Sequence, residues 1–282
     1  MTDPRFAMIF DPAQNGGSGE RHNFLHRLLA QDWEQPGGPI EFTPERVLDD
    51  LAGAAHFQNV RVLLRALAED DGTLATVTGC FNRAFATRML GEFHIPDISR
   101  ESVRRVCKVI NEADVPDLHV LRVVCELGGL ISRRQKRLRA TRRGRELLAA
   151  DRAGHLFRHL FLTFFRKLDL RYIFHFRDVP GIQRTLAVIL WRLDTVAREW
   201  TPVQGLAEQV LLPRVLEELR ATKYPHDTDE WILSGYVLDP LADFGLIEKR
   251  ERPTEWPGIT ETDSIRLTAL WRRFVQFSPS PG

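Results

Sequence analysis

The stretch Gly129-Leu130-Ile131-Ser132-Arg133-Arg134-Gln135-Lys136-Arg137-Leu138-Arg139-Ala140-Thr141-Arg142-Arg143-Gly144-Arg145-Glu146-Leu147-Leu148 decides how this chain is read. A short apolar strand leads into a basic turn. A second strand follows, alternating Leu138 and Ala140 against Arg137 and Arg139, and a helix starts near Thr141. Gly129 stands where a helix ends, a position that favours glycine, and Thr141 stands where a helix is capped.

Two other places repeat part of this order. Gly245-Leu246-Ile247 precedes a second hairpin that closes on Leu267-Thr268-x-x-Trp271, and Ala75-Thr76-x-x-Gly79 forms a third junction without a clear leading strand. Each threonine is expected to close a strand and open a helix, which makes the chain a weak internal repeat whose first copy is degenerate.

Helical periodicity accounts for most of the remainder. Phe24, Leu25, Leu28 and Leu29 share a spacing, as do Val60, Leu63, Leu64 and Leu67. Ser99 is expected to cap a helix carrying Val103, Val106, Cys107 and Ile110, and Pro116 to open another carrying Leu118, Leu121, Val124 and Cys125. Phe157, Phe161, Phe164 and Phe165 give a wide apolar face, read together with Tyr172, Phe174 and Phe176 as core packing. A long helix is expected from Gly181 to Glu199, with Thr201-Pro202 capping the next. The fold class is therefore mainly α with small β-hairpins. The segments are a variable region over 1–45, a degenerate helix/strand/helix module over 46–98, a hairpin module over 99–152, a connecting helix and linker over 153–180, and a second hairpin module over 181–282.

Composition restricts the function classes. The 282 residues carry a net charge of only +1, but residues 100 to 184 hold 20 basic and 9 acidic side chains between two acidic flanks. Such asymmetry points to a polyanionic partner, provided the acidic flanks do not fold back over the basic centre. Arg133, Arg134, Lys136, Arg137, Arg139, Arg142, Arg143 and Arg145 place eight cations in thirteen residues without one acid. If five or six met phosphates, binding would fall with salt at a log-log slope of roughly −4 to −5. The second hairpin tip, Glu248 to Asp263, has three basic and five acidic residues, so the architecture itself does not demand positive charge.

Other chemistries find little support. Gly16-Gly17-Ser18-Gly19 lacks the lysine and hydroxyl residue of a phosphate loop. His155 with His159, and His22 with His26, have metal-compatible spacing but no glutamate between them and no third ligand nearby. Cys80 is the one cysteine placed to feel a helix N-terminus, while Cys107 and Cys125 sit on apolar faces. The reading is of no enzyme, no cofactor and no metal. Three scattered cysteines and the lack of a secretory or membrane-spanning segment imply a cytoplasmic protein with reduced thiols.

The two passages with Gly-Leu-Ile, a polar turn, a strand and Thr before a helix resemble the winged-helix superfamily, particularly bacterial regulators of the multiple-antibiotic-resistance type. From about Val60 onward the chain is also similar to an uncharacterised bacterial family related to the C-terminal part of plasmid-borne open-reading-frame proteins. The resemblance implies tandem winged helices, the central hairpin serving as a wing on duplex DNA. One departure favours the alternative, a protein-interaction scaffold with an acidic partner. The helix before the first hairpin is expected to expose Asp117, His119, Arg122 and Glu126, and its second counterpart Asp229, Glu230, Asp239 and Asp243, faces ill suited to a major groove.

Overall fold

A computed structural model describes residues 19–30, 33, 35, 37–44, 51–69, 71–173, 178–222, 224, 226–253 and 260–278. The chain is mainly helical with small antiparallel sheets, as the periodicities require. It divides into two compact units: Met1–Thr43 with Asp169–Gly282, and Pro44–Leu168. This division differs from the five segments read along the sequence, because long-range pairing decides it.

The first unit begins with α1 (Gly19–Ala30), which buries Phe24, Leu25 and Leu28 and sets the Phe24 ring edge-on to Trp191 at 5.3 Å. β1 (Ile40–Phe42) pairs antiparallel with Val275–Phe277. The region expected to be variable thus contributes to a core closed by the far end of the chain.

The second unit is built on α2 (Ala55–Glu69), whose Phe57, Val60, Leu63, Leu64 and Leu67 are all buried. Side chains of this size contribute about 1.5–3 kcal/mol each when fully removed from water. Asp71 and Gly72, both at positive φ, turn the chain into β2 (Thr73–Leu74). The junction at Thr76 does not open a helix. Gly79 has φ +87°, outside helical space, and the Thr76 hydroxyl instead accepts from the Cys80 amide at 3.0 Å. The helix α3 (Arg83–Glu92) starts later, capped by Asn82, whose side chain accepts from the Phe85 amide. Cys80 therefore lies ahead of the cap and not in a helical first turn.

Next come α4 (Asp97–Val106), which begins two residues before Ser99 and buries no side chain, and α5 (Pro116–Leu127), opened by proline as expected. Gly129, at φ +68°, ends the helical path and leads into β3 (Ile131–Arg134) and β4 (Arg137–Ala140). The sheet order is β2-β4-β3, the leading strand lying against the hairpin's second strand. Thr141 caps α6 (Arg142–Glu146), accepting from the Gly144 amide and donating to the Gly129 carbonyl. Finally α7 (Ala153–Leu162) runs into a π-helical turn, Thr163–Lys167. Phe157, Phe161, Phe164 and Phe165 are all buried, so the helix read as a connection belongs to this unit's core. Tyr172 is exposed, while Phe174 and Phe176 lie outside the described residues.

His56, on α2, is buried beside the Phe164 ring at 5.7 Å. Burial lowers its pKa to about 4, against the raising influence of Asp117. The unfolded chain, with an ordinary histidine near 6.5, binds the proton first, so this contribution to stability is complete above pH 6.5 and is lost as pH falls toward 4. Going from pH 7 to pH 5 should weaken the unit by about 2 kcal/mol on this account alone. Urea midpoints by far-UV circular dichroism at the two pH values check this, and His56→Gln should remove most of the difference.

The rest of the first unit runs through α8 (Leu170–Ile173), α9 (Pro180–Arg184) and α10 (Leu186–Val196). The single helix expected from Gly181 is broken at buried Thr185, whose hydroxyl donates to the Gly181 carbonyl at 2.8 Å. Thr201-Pro202 is not a helix cap but β5, a two-residue leading strand. After α11 (Leu206–Val210) and α12 (Pro213–Thr222) comes α13 (Asp229–Leu233), capped by Thr228 and continued through a π turn, Ser234–Leu238, into α14 (Asp239–Asp243). Then follow β6 (Ile247–Pro253), β7 (Thr260–Leu267), α15 (Ala269–Phe274) and β8 (Val275–Phe277).

The repeat is visible in the register. Ile131 faces Ala140 and Ser132 faces Arg139, just as Ile247 faces Leu267 and Glu248 faces Arg266. Thr73 lies against Leu138 as Thr201 lies against Ile265, giving the order β5-β7-β6. Thr268 caps α15 from the Trp271 amide and donates to the Gly245 carbonyl, reproducing Thr141.

Candidate nucleic-acid interface

The tip of the first hairpin is a two-residue turn, Gln135 at φ 49° and Lys136 at φ 60°. Two positive φ values give the twist that suits a tight hairpin, normally supplied by Asn-Gly. Side chains other than glycine lose roughly 1–2 kcal/mol in this region. The Ala75 amide supports the turn by donating to the Lys136 carbonyl at 2.8 Å. Lys136→Gly should therefore raise stability by about 1 kcal/mol, seen as a higher thermal midpoint, while removing one of the tip charges.

The eight cations divide into two groups. Arg137 donates to the Gly72 carbonyl at 2.7 Å and Arg139 pairs with Asp71 at 3.1 Å, so both clasp the turn that precedes β2. Arg145 donates to the Ala140 carbonyl at 2.6 Å. Arg143 donates to Nδ1 of His159 at 3.2 Å, and Nε2 of His159 lies 2.7 Å from the Gly128 carbonyl. A carbonyl only accepts, so the proton sits on Nε2 and Nδ1 receives the guanidinium. Arg142 pairs with Glu146 one turn away and keeps its side chain 89% exposed, an arrangement of little energetic weight.

The other three differ. Arg133, Arg134 and Lys136 are exposed and, among the described residues, have no carboxylate in ion-pair range. The Arg133 guanidinium rests over Gly79, where any Cβ would collide with it. Asp71 and Glu146, the two carboxylates that do engage the hairpin and its helix, both come from the same unit. Of the eight cations expected to be available to a polyanion, these three are the ones left without a described carboxylate, backbone or histidine partner.

The helix before the hairpin departs further from the expectation. Arg122 is buried at 8% exposure, donating through Nε to Glu112 and through Nη1 to Glu126, both at 2.7 Å. Glu112 is 1% exposed and also accepts from the Phe81 amide at 2.6 Å, with His119 Nδ1 at 2.8 Å. Sequence reasoning missed this network. Its one signal was a glutamate ahead of a helix bearing histidine and arginine on the same face. In the second counterpart, Asp229 is buried against Arg220, Glu230 accepts from the Gly205 amide and Asp239 pairs with Lys249. Asp243 is pushed up to about 6 by burial and then by Asp239.

Second-hairpin cations are tied down. Lys249 meets Asp239 and Arg252 meets Glu261, each at 2.8 Å, while Arg250 stacks 3.8 Å above the Trp200 ring. Among the described residues no three His, Cys, Asp or Glu side chains converge as a metal ion would need. The side chain of His22 lies outside the described residues. Burial pushes the Cys125 thiol far up, which makes it inert. No described helix is long and apolar enough to cross a membrane.

Residues 52–153 match the family model described as the Y4jL N-terminal domain. The matched span contains all eight cations and the buried glutamate network. The uncharacterised protein y4jL of Sinorhizobium fredii (strain NBRC 101917 / NGR234) is 33% identical over 121 residues, which is 42% of this chain and 55% of that relative. The chain thus spans about half the length of the curated relative it matches. No solved structure matches it.

Proposed function

We propose that the unit Pro44–Leu168 is a winged helix that lays its wing tip on a nucleic-acid backbone, in a protein that binds or regulates DNA. The observation that carries this reading is the set Arg133, Arg134 and Lys136, exposed on a braced two-strand hairpin and unmatched by carboxylates among the described residues. Its best support is internal: a hairpin of the same register in the other unit has its cations paired or stacked. Phosphate contacts of this kind position a protein without reading sequence.

Fluorescence anisotropy with duplex DNA at 50 and 200 mM salt tests it. The expected slope is roughly −3, and Arg134→Glu with Lys136→Glu should weaken binding at low salt by about two orders of magnitude. Binding that is insensitive to salt and unchanged by the double substitution removes the proposal. A second reading, a protein-interaction module with an acidic partner, is favoured by α5. Its single arginine is locked between Glu112 and Glu126, which leaves little on that helix to read bases.

A further inference from the structure

A different cation stands out on the opposite criterion, burial. Arg61, on α2, has only 9% of its surface exposed, and among the described residues it makes no hydrogen bond and no ion pair. Its guanidinium carbon lies 5.7 Å from the centre of the Phe57 ring. No Arg61 nitrogen is among the described side-chain atoms that are both sealed from solvent and without a hydrogen-bond partner, so each keeps some contact with solvent. Arg65, one helical turn further on and exposed, likewise has no described counter-ion. Burial, and then Arg65, hold the Arg61 guanidinium below its ordinary range.

Evolved surfaces seldom keep such a pair. Like charges four residues apart destabilise a helix, and a recessed cation without a counter-ion gives up part of its hydration with no charge to offset the loss. An anion that reached both guanidinium groups would supply the counter-charge that the described residues do not. We propose that Arg61 and Arg65 form a binding site for a phosphate-type oxyanion. Two guanidinium forks one helical turn apart offer more donors than a single carboxylate uses, and a phosphate group has the oxygens to accept from both. This site uses none of the wing cations and does not depend on the wing's role.

Calorimetric titration of the full chain with inorganic phosphate, in phosphate-free buffer, tests it. The expected result is saturable one-site binding that Arg65→Gln weakens about tenfold. Arg65 is exposed, so that variant keeps the fold. Arg61→Met should abolish the binding and, because it removes an unmatched charge, raise the thermal midpoint in phosphate-free buffer by about 3 °C. A purely structural arginine predicts a lower midpoint instead. Absence of saturable heat in the unaltered protein, or Arg65→Gln with unchanged affinity, overturns the proposal. The same Arg65→Gln protein, titrated with duplex DNA, separates the sources of phosphate. Loss of duplex affinity assigns the oxyanion to a strand, and unchanged duplex affinity assigns it to a small phosphate compound.

Discussion

Glu112→Ala should lower the stability of the unit Pro44–Leu168 by about 3–5 kcal/mol. The carboxylate is 1% exposed and is shared by Arg122, His119 and the Phe81 amide. Truncation leaves Arg122 buried with only Glu126 and strands the Phe81 amide, and an unsatisfied buried donor costs about 1–3 kcal/mol by itself. Glu112→Gln keeps an acceptor but loses the charge and should cost about half as much. Composition supplies a clean readout. All six tryptophans and three tyrosines lie outside residues 44–168, so indole fluorescence follows the other unit alone, while far-UV circular dichroism follows both and shows this unit as the transition that fluorescence lacks. A loss below 1 kcal/mol, or an equal displacement of the fluorescence transition, contradicts the account.

The complementary result is expected from Trp271→Ala. Trp271 is fully buried, and its indole N–H donates to Asp194 at 2.9 Å. Removing an indole of this kind costs about 3–5 kcal/mol through lost burial and the cavity left behind. Trp271 occupies, in the second hairpin's helix, the place held by Gly144 in the first, where a Cβ would run into the Leu130 carbonyl. One repeat closes its first helical turn tightly against backbone, and the other opens it to admit a large ring. The fluorescence transition of the remaining tryptophans should move to lower denaturant. The dichroism component from residues 44–168 should stay in place, and joint movement of both would show that the units unfold together.

Short-range signals were legible before any coordinates. Gly129 at a helix end, Thr141 and Thr268 as caps, and the alternating strand Arg137 to Ala140 all depend on neighbours within a few residues. What escaped depends on distant partners. Alternation placed Arg137 and Arg139 on one face, but only the pairing of β2 brings Gly72, 65 residues upstream, into reach of Arg137. Thr201-Pro202 and a true helix cap use the same residue chemistry, and the difference lies in a strand more than sixty positions on. Arg122 looked exposed because nothing local announces that Glu112 folds over it.

The pairing of Ile40–Phe42 with Val275–Phe277 has a kinetic corollary. A strand made early on the ribosome must wait for a partner made more than two hundred residues later, and such distant closure is slow. Residues 44–168 lie wholly between the two in the sequence and form a compact unit of their own, so they have time to acquire their structure while translation continues. The inserted unit should therefore mature first, and a nascent chain stalled near residue 200 should already resist protease across residues 55–168.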